Sequence, residues 1–289
     1  MRCGLFNKRD AVFLNRILIF VVIATCYLLI INLSVGQSND KNKDVDSNQI
    51  TPSPTPTIRL ILTPMVGVIN HGSREKKQVA LTFDADMTLF MREKLATGEA
   101  VSYYDETIID QLVNNKVPAT LFITGLWAES YPQETKQLAH NPLFVIGNHS
   151  YSHPAFARPC FGLPPIEDLQ KEEEFQKSQE ALTKIIGYTP YYFRFPGGCY
   201  KKTDIVMANK YGLSVIGWDV DSEDAFDNDA LKIIECVKKE VQPGSIIIFH
   251  LTGTKNAPKT AEALPEILKF LKENDYQVIP LDILIDNQQ

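Results

Sequence analysis

The chain has 289 residues, 44% hydrophobic and 22% charged, an ordinary globular composition with apolar material for one sizeable core. A formal net charge of −6 supplies no basic footprint, so nucleic acid is not an expected partner. The sequence contains no fixed-period repeat and no G-x-x-x-x-G-K phosphate loop, which excludes solenoids and P-loop nucleotide enzymes.

The first segment differs from everything after it. Arg2, Lys8, Arg9 and Arg16 precede an apolar run from Ile17 to about Val35, roughly the length needed to cross a hydrocarbon core. Basic residues before this run and polar ones after it place the N-terminus inside and the remainder outside. Residues 1–36 therefore read as a cleaved secretory signal or an uncleaved signal anchor. The small residues Ser34, Val35 and Gly36 offer a cleavage site, while the length of the run favours the anchor. Residues 37–58 are polar and end in T-P-S-P-T-P-T, an extended spacer that cannot bury enough apolar surface to fold. The expected location is the cell membrane with a domain at 59–289 outside the cytoplasm, or secretion if the leader is cleaved.

From residue 79 onward, short apolar runs alternate with longer amphipathic ones. Val79 to Phe83, Ala119 to Thr124, Leu143 to Ile146, Tyr191 to Phe195, Leu213 to Trp218, Ser245 to Phe249 and Gln277 to Leu281 read as seven strands. Between them, Glu106 to Asn115, Ile166 to Ile186, Asn228 to Val241 and Lys259 to Asn274 carry apolar residues at helical spacing. Such alternation predicts an α/β fold with a parallel sheet, and seven units in one domain favour a closed or nearly closed barrel over an open sheet. Functional groups then belong at the carboxyl ends of the strands.

The strand ends meet that rule. The first strand runs into T-F-D-A-D-M-T, the third into G-N-H-S-Y-S-H-P, the fourth into R-F-P-G-G-C-Y, the fifth into W-D-V-D-S-E-D and the sixth into F-H-L. Packing requires no such collection of carboxylates, imidazoles and a guanidinium. His149 and His153, two of only five histidines, lie at i and i+4, a spacing that lets two imidazoles grip one divalent metal and leave other positions open. The bland reading of each is a polar surface residue. Cys160 and Cys199 belong to loops at the same end, where an exported domain allows a disulfide; two separate buried thiols are the alternative. Cys236, in I-I-E-C-V, reads as a buried helical thiol.

In order and spacing these motifs resemble the polysaccharide deacetylase family, also called the NodB-homology domain or carbohydrate esterase family four, over roughly residues 75 to 285. The resemblance implies a distorted, TIM-barrel-like (β/α) barrel of about seven strands. It further implies a metal-dependent hydrolase that removes acetyl groups from N- or O-acetylated sugars of a polymer such as peptidoglycan or a chitin-like chain. Carried over by motif, Asp84 is the base, His149, His153 and Asp86 hold the metal, and Arg194 orients the base. Asp224 orients His250, the proton donor, and the Gly197 N–H assists the oxyanion. Two histidines and a carboxylate suit zinc, although iron and cobalt accept such a set.

Two positions depart from the family pattern. The usual adjacent Asp pair is here Asp84-Ala85-Asp86, so either the turn aims Asp86 at the metal or Ala85 leaves the ligand set incomplete. Ala225 stands where the family has Trp, and Trp218, Trp127 or Tyr200 are the candidate replacements in the wall, with ordinary core packing the alternative for each, and Ile248 facing the acetyl methyl. These departures also support a second reading, a carbohydrate-binding protein that kept the fold and lost catalysis.

Overall fold

Short β-branched runs, each followed by an amphipathic stretch, build a parallel sheet because every helix buries its apolar stripe on the sheet it has just left. The computed structural model describes residues 66–253 and 256–286; the expected leader at 1–36 and spacer at 37–58 lie outside the described residues. Among the described residues no helix is long and apolar enough to cross a membrane.

In chain order, β1 (Val68–Ile69) and β2 (Gln78–Ala85) precede α1 (Leu89–Ala96) and α2 (Glu106–Asn114). Next, β3 (Ala119–Ile123) leads into α3 (Gly125–Ser130) and α4 (Pro132–His140), and β4 (Phe144–Asn148) into a long loop and α5 (Lys171–Ile186). The middle of the domain is β5 (Tyr192–Phe193), α6 (Lys202–Lys210), β6 (Ser214–Ile216), β7 (Val220–Asp221) and α7 (Ala230–Glu240). Last come β8 (Ile246–His250), α8 (Thr260–Glu273), β9 (Gln277–Val278) and α9 (Leu281–Asp286).

All strand pairs are parallel, in the order β1-β6-β5-β4-β3-β2-β8-β7, with β9 added to β2. No pair among the described residues joins β1 to β7. The sheet is thus a curled half-barrel, in keeping with the distorted (β/α) barrel expected but short of a closed or nearly closed ring. Its nine strands exceed the expected seven because β1 and β7 have two residues each, too few for any periodicity to mark. Such short strands also supply few ladder hydrogen bonds with which to close a ring. The helix expected from Ile166 starts only at Lys171, after a 3-10 turn over Asp168–Gln170.

The pleat sorts the residues of β2 by parity. Val79, Leu81, Phe83 and Ala85 join the core between sheet and helices. Ala80, on the other face, packs with Ile246, Ile216 and the α9 residues Leu281, Leu284 and Ile285 inside the curl. This apolar plug fills the interior below, with Thr82 between it and the charged groups at the carboxyl end.

Pro265 lies inside α8 and has no N–H to offer the carbonyl of Ala261 four residues earlier. Gln111 of α2 supplies the missing donor, its Nε2 reaching Ala261 O at 2.9 Å. Removing that side chain leaves a helix carbonyl unpaired in the α2–α8 contact. Gln111→Ala is expected to cost about 1 kcal/mol of unfolding free energy in urea. In a Pro265→Ala background the helix satisfies Ala261 itself, and the cost should largely vanish; an equal cost in both backgrounds would refute this account.

Candidate active site

Asp84 and Asp86 come from the same pleat. Alternation turns Ala85 into the helix layer and sends the residues on either side of it to the inner face, so Asp86, just past the strand end, follows Asp84 into the mouth of the curl. There Asp86 Oδ1 lies 3.4 Å from His149 Nε2 and 3.3 Å from His153 Nε2. It is Asp86, then, and not Ala85, that meets the two imidazoles.

The loop between the histidines is held from beneath. Ser150 and His153 adopt left-handed backbone angles, φ 68° and 59°, uncommon for residues with a Cβ. Glu174 of α5 stabilises this shape by accepting from the N–H groups of Tyr151 and Ser152 at 2.9 and 2.8 Å and from Ser152 Oγ at 2.7 Å. Asn148 adds a turn, its Oδ1 accepting from Ser150 N at 2.9 Å while its amide donates to Ser178 and Gln179 of α5. His149 Nδ1 donates to the Arg194 carbonyl at 2.8 Å, which sets the ring's orientation and turns Nε2 toward Asp86.

These three side chains fit a metal ion. Asp86 Oδ1 is buried and accepts no hydrogen bond of good geometry. The three ligand atoms all lie within 4.8 Å of one another. The carboxylate-to-imidazole separations match those of about 3.3 Å that ligands adopt on one tetrahedral ion with bonds of about 2.0 to 2.1 Å. Burial opposes a charge on Asp86, but the imidazoles of His153 and His149 outweigh it and hold the carboxyl well below the usual carboxylate range. One carboxylate oxygen and two imidazole nitrogens converging in this way form the donor set that suits a divalent cation.

Two further pairs face the same space. Fully buried Arg194, at the end of β5, donates from Nη1 to Asp84 Oδ1 at 2.7 Å and from Nη2 to Gly217 O at 3.0 Å. Its guanidinium sits 4.2 Å over the Phe122 ring, a geometry that suits the planar fork. The other Asp84 oxygen, Oδ2, lies 3.4 Å from His149 Nε2, so the base candidate borders the metal candidates. At the end of β8, His250 Nδ1 donates to Asp224 Oδ1 at 2.7 Å. Asp224 is wholly buried, and its Oδ2 also accepts from His250 N at 2.8 Å and Thr260 Oγ1 at 2.6 Å. Burial disfavours the imidazolium, yet Asp224 overcomes this and pushes His250 up to about 10.

A pocket of about 330 Å³ collects these groups, with Asp84, Asp86, His149, His153 and His250 on its lining and Gly197, Trp218 and Ile248 among its walls. Tyr200 is placed elsewhere: it packs 5.0 Å from Phe195 and lines a separate cavity of about 150 Å³. Trp127 is core, wholly buried with Nε1 donating to Tyr103 O at 2.9 Å, and forms no pocket wall. Cys160 and Cys199 are joined in a disulfide, and Cys236 is buried in α7. Gly197 has φ 59°, and a Cβ there would come within 2.8 Å of Cys160 Sγ, so glycine is required where the arginine loop meets the bridged loop.

Sequence reasoning missed Glu174, Thr260, Phe161 and Phe226. The first two lie on helices, where periodicity assigns polar residues to a solvated face. The two phenylalanines directly follow Cys160 and Ala225, and that adjacency was their only signal.

The described residues thus form a curled parallel (β/α) fold with histidines, carboxylates and an arginine at the carboxyl ends of its strands. The chain belongs to the polysaccharide deacetylase family, whose model matches residues 71–216. It is 30% identical over 210 residues to the peptidoglycan-N-acetylglucosamine deacetylase of Bacillus cereus, an alignment covering 73% of this chain and 69% of that protein. The crystal structure of the Bc1960 peptidoglycan N-acetylglucosamine deacetylase superposes with a TM-score of 0.63 at 28% identity, covering 76% of this chain and 92% of the other. BA3943 of Bacillus anthracis, a CE4 family pseudoenzyme, shares the fold with a TM-score of 0.63 at 24% identity, covering 77% and 70%.

Because Glu174 holds the backbone between the histidines, Glu174→Ala is expected to weaken zinc affinity by about 10- to 100-fold in competition with a chelating dye, with the far-UV spectrum retained. Unchanged affinity would remove Glu174 from the support of the site.

Proposed function

We propose that this protein is a metal-dependent deacetylase that hydrolyses the acetamido groups of N-acetylated sugars in an extracytoplasmic polysaccharide, peptidoglycan or a chitin-like polymer. One observation carries the reading: Asp86, with Oδ1 between two imidazoles, lines the same pocket as Asp84, which Arg194 holds, and His250, which Asp224 holds. The names of the relatives support the substrate class, and the basic and apolar leader supports action outside the membrane.

Asp86, His149 and His153 would hold the ion, and zinc suits their donor set. When bound, the ion supplies Lewis acidity, lowering the pKa of water and polarising an acetyl carbonyl. The chain's own residues do the rest. Asp84, oriented by Arg194, takes a proton from the attacking water as the water oxygen bonds to the acetyl carbon. Gly197, on the pocket lining, lets the carbonyl oxygen approach backbone closely as negative charge develops there. His250, kept protonated by Asp224, gives its proton to the departing nitrogen, and the C–N bond breaks to leave acetate and a free amine. Trp218 and Ile248 exclude water from the acetyl methyl.

The competing reading, a binding protein without catalysis, drew on Ala85 and Ala225. Asp86 stands where Ala85 left a gap, and Phe226 lies beside Ala225 on the pocket lining, so both departures have local replacements.

Purified protein is expected to release acetate from N-acetylglucosamine oligomers and to stop when chelated; chelator-resistant turnover would contradict the metal mechanism. Asp84→Asn should retain the metal and lose about 10²- to 10⁴-fold in kcat, whereas Asp86→Ala should lose the metal. Metal loss in the first variant and not the second would reverse the two roles.

The acid form of His250 is the active one, and its raised pKa keeps that form populated until the pH approaches about 10. Turnover should therefore fall on the alkaline side as His250 loses its proton. Asp224→Asn removes the main stabilisation of the imidazolium, so the alkaline limb of kcat/KM should move to lower pH; an unmoved limb would separate His250 from the titration.

A further inference from the structure

Two half-exposed aromatic side chains meet over the pocket. Phe161 and Phe226 are 51% and 53% exposed, yet their rings lie 5.3 Å apart at 44°, and both line the same pocket as the catalytic groups. They come from distant strands: Phe161 from the loop after β4, Phe226 from the loop after β7. In the sheet order, β3, β2 and β8 stand between those strands, so the contact spans the curl as a chord.

The fold holds both rings in place. Phe161 follows Cys160, whose bridge to Cys199 ties this loop to the arginine loop, and a Cβ on Gly197 would come within 3.2 Å of the Phe161 ring. Its φ of 43° lies in the left-handed region, an uncommon backbone for an aromatic residue and one that surrounding structure must impose. Phe226 follows Ala225, whose methyl leaves open the part of the wall that a larger side chain would fill.

We propose that Phe161 and Phe226 form a paired aromatic shelf across the mouth of the pocket, and that this shelf binds the apolar face of a pyranose ring and sets the preference for a glycan. The proposal rests on the deacetylase reading and assigns its sugar contact. An aromatic ring presents a negative face, and the C–H bonds on one side of a pyranose with equatorial substituents present the matching positive one. The rings are packed against each other, so a sugar lies on the shelf and does not pass between them. Exposing two large rings beside the catalytic groups costs hydrophobic free energy, which docking of an apolar sugar face recovers.

The test uses the whole chain and a four-unit N-acetylglucosamine oligomer, with Kd from calorimetry and KM and kcat from acetate release. Phe226→Ala and Phe161→Ala are each expected to raise Kd and KM about tenfold, with kcat changed less than twofold, because one stacked ring is lost. Phe226→Trp should restore both constants to within twofold, while Phe226→Leu, which keeps apolar bulk and covers the case in which alanine unfolds the loop, should not. Phe90→Ala, an exposed aromatic of α1 outside the pocket lining, should change neither constant. If wild type is active and Phe226→Ala or Phe226→Leu binds the oligomer as wild type does, the shelf is refuted and the deacetylase reading stands. If wild type releases no acetate but binds the oligomer in a Phe226-dependent way, the deacetylase reading fails and the shelf stands. Wild type that neither binds nor deacetylates the oligomer refutes both.

Discussion

A buried carboxylate oxygen with no donor is costly, and the structure around Asp86 is organised by that cost. Among the described residues no Lys or Arg reaches it; the groups that approach are two imidazole nitrogens, one with its other ring nitrogen committed to a backbone carbonyl. A cation would relieve such an arrangement, and the left-handed loop residues, the Glu174 cradle and the Arg194 carbonyl keep the two imidazoles turned toward Asp86. The pleat of β2 makes this possible. Because side chains alternate along a strand, the Asp-x-Asp spacing delivers two carboxylates to one face, one for the ion and one for Arg194.

Much of this was legible in the sequence, for physical reasons that differ by element. The strands β2, β3, β4 and β8 are five to eight residues long and buried, so their apolar runs stood out, and the polar groups that end them could only belong to a site. The two-residue strands β1 and β7 carry no periodic signal, and with them the difference between a ring and a half-barrel was lost. Helices α3 and α4 were missed because they are short and follow β3 and a proline almost without a linker. The ambiguity at Ala85 needed the strand's end point: only once β2 is seen to run to that residue does parity assign Asp86 to the inner face. Tyr200 looked available as a pocket aromatic, but the α6 side of the arginine loop draws it onto Phe195 instead.

The support of the site comes from helices that face away from it. Glu174 on α5 and Thr260 on α8 reach loop backbone and Asp224 from the helix layer, and Gln111 repairs the helix that carries Thr260. In a sequence such residues look like ordinary solvated positions on a helix, because their partners are distant in the chain and mostly backbone. The same layer explains why a departure at one family position is tolerated: the aromatic pair over the mouth belongs to loops, and loops can exchange which side chain fills a wall without disturbing the sheet.

The proposed mechanism requires one ion among Asp86, His149 and His153, with Asp84 bound to Arg194 and not to the ion. Anomalous diffraction from crystals of the zinc-loaded protein tests it most directly. The account predicts a single strong peak within about 2.0 to 2.2 Å of one Asp86 oxygen and one nitrogen of each histidine, with Asp84 still on Arg194. A peak ligated by Asp84 in place of Asp86, or no peak among these side chains, would contradict it.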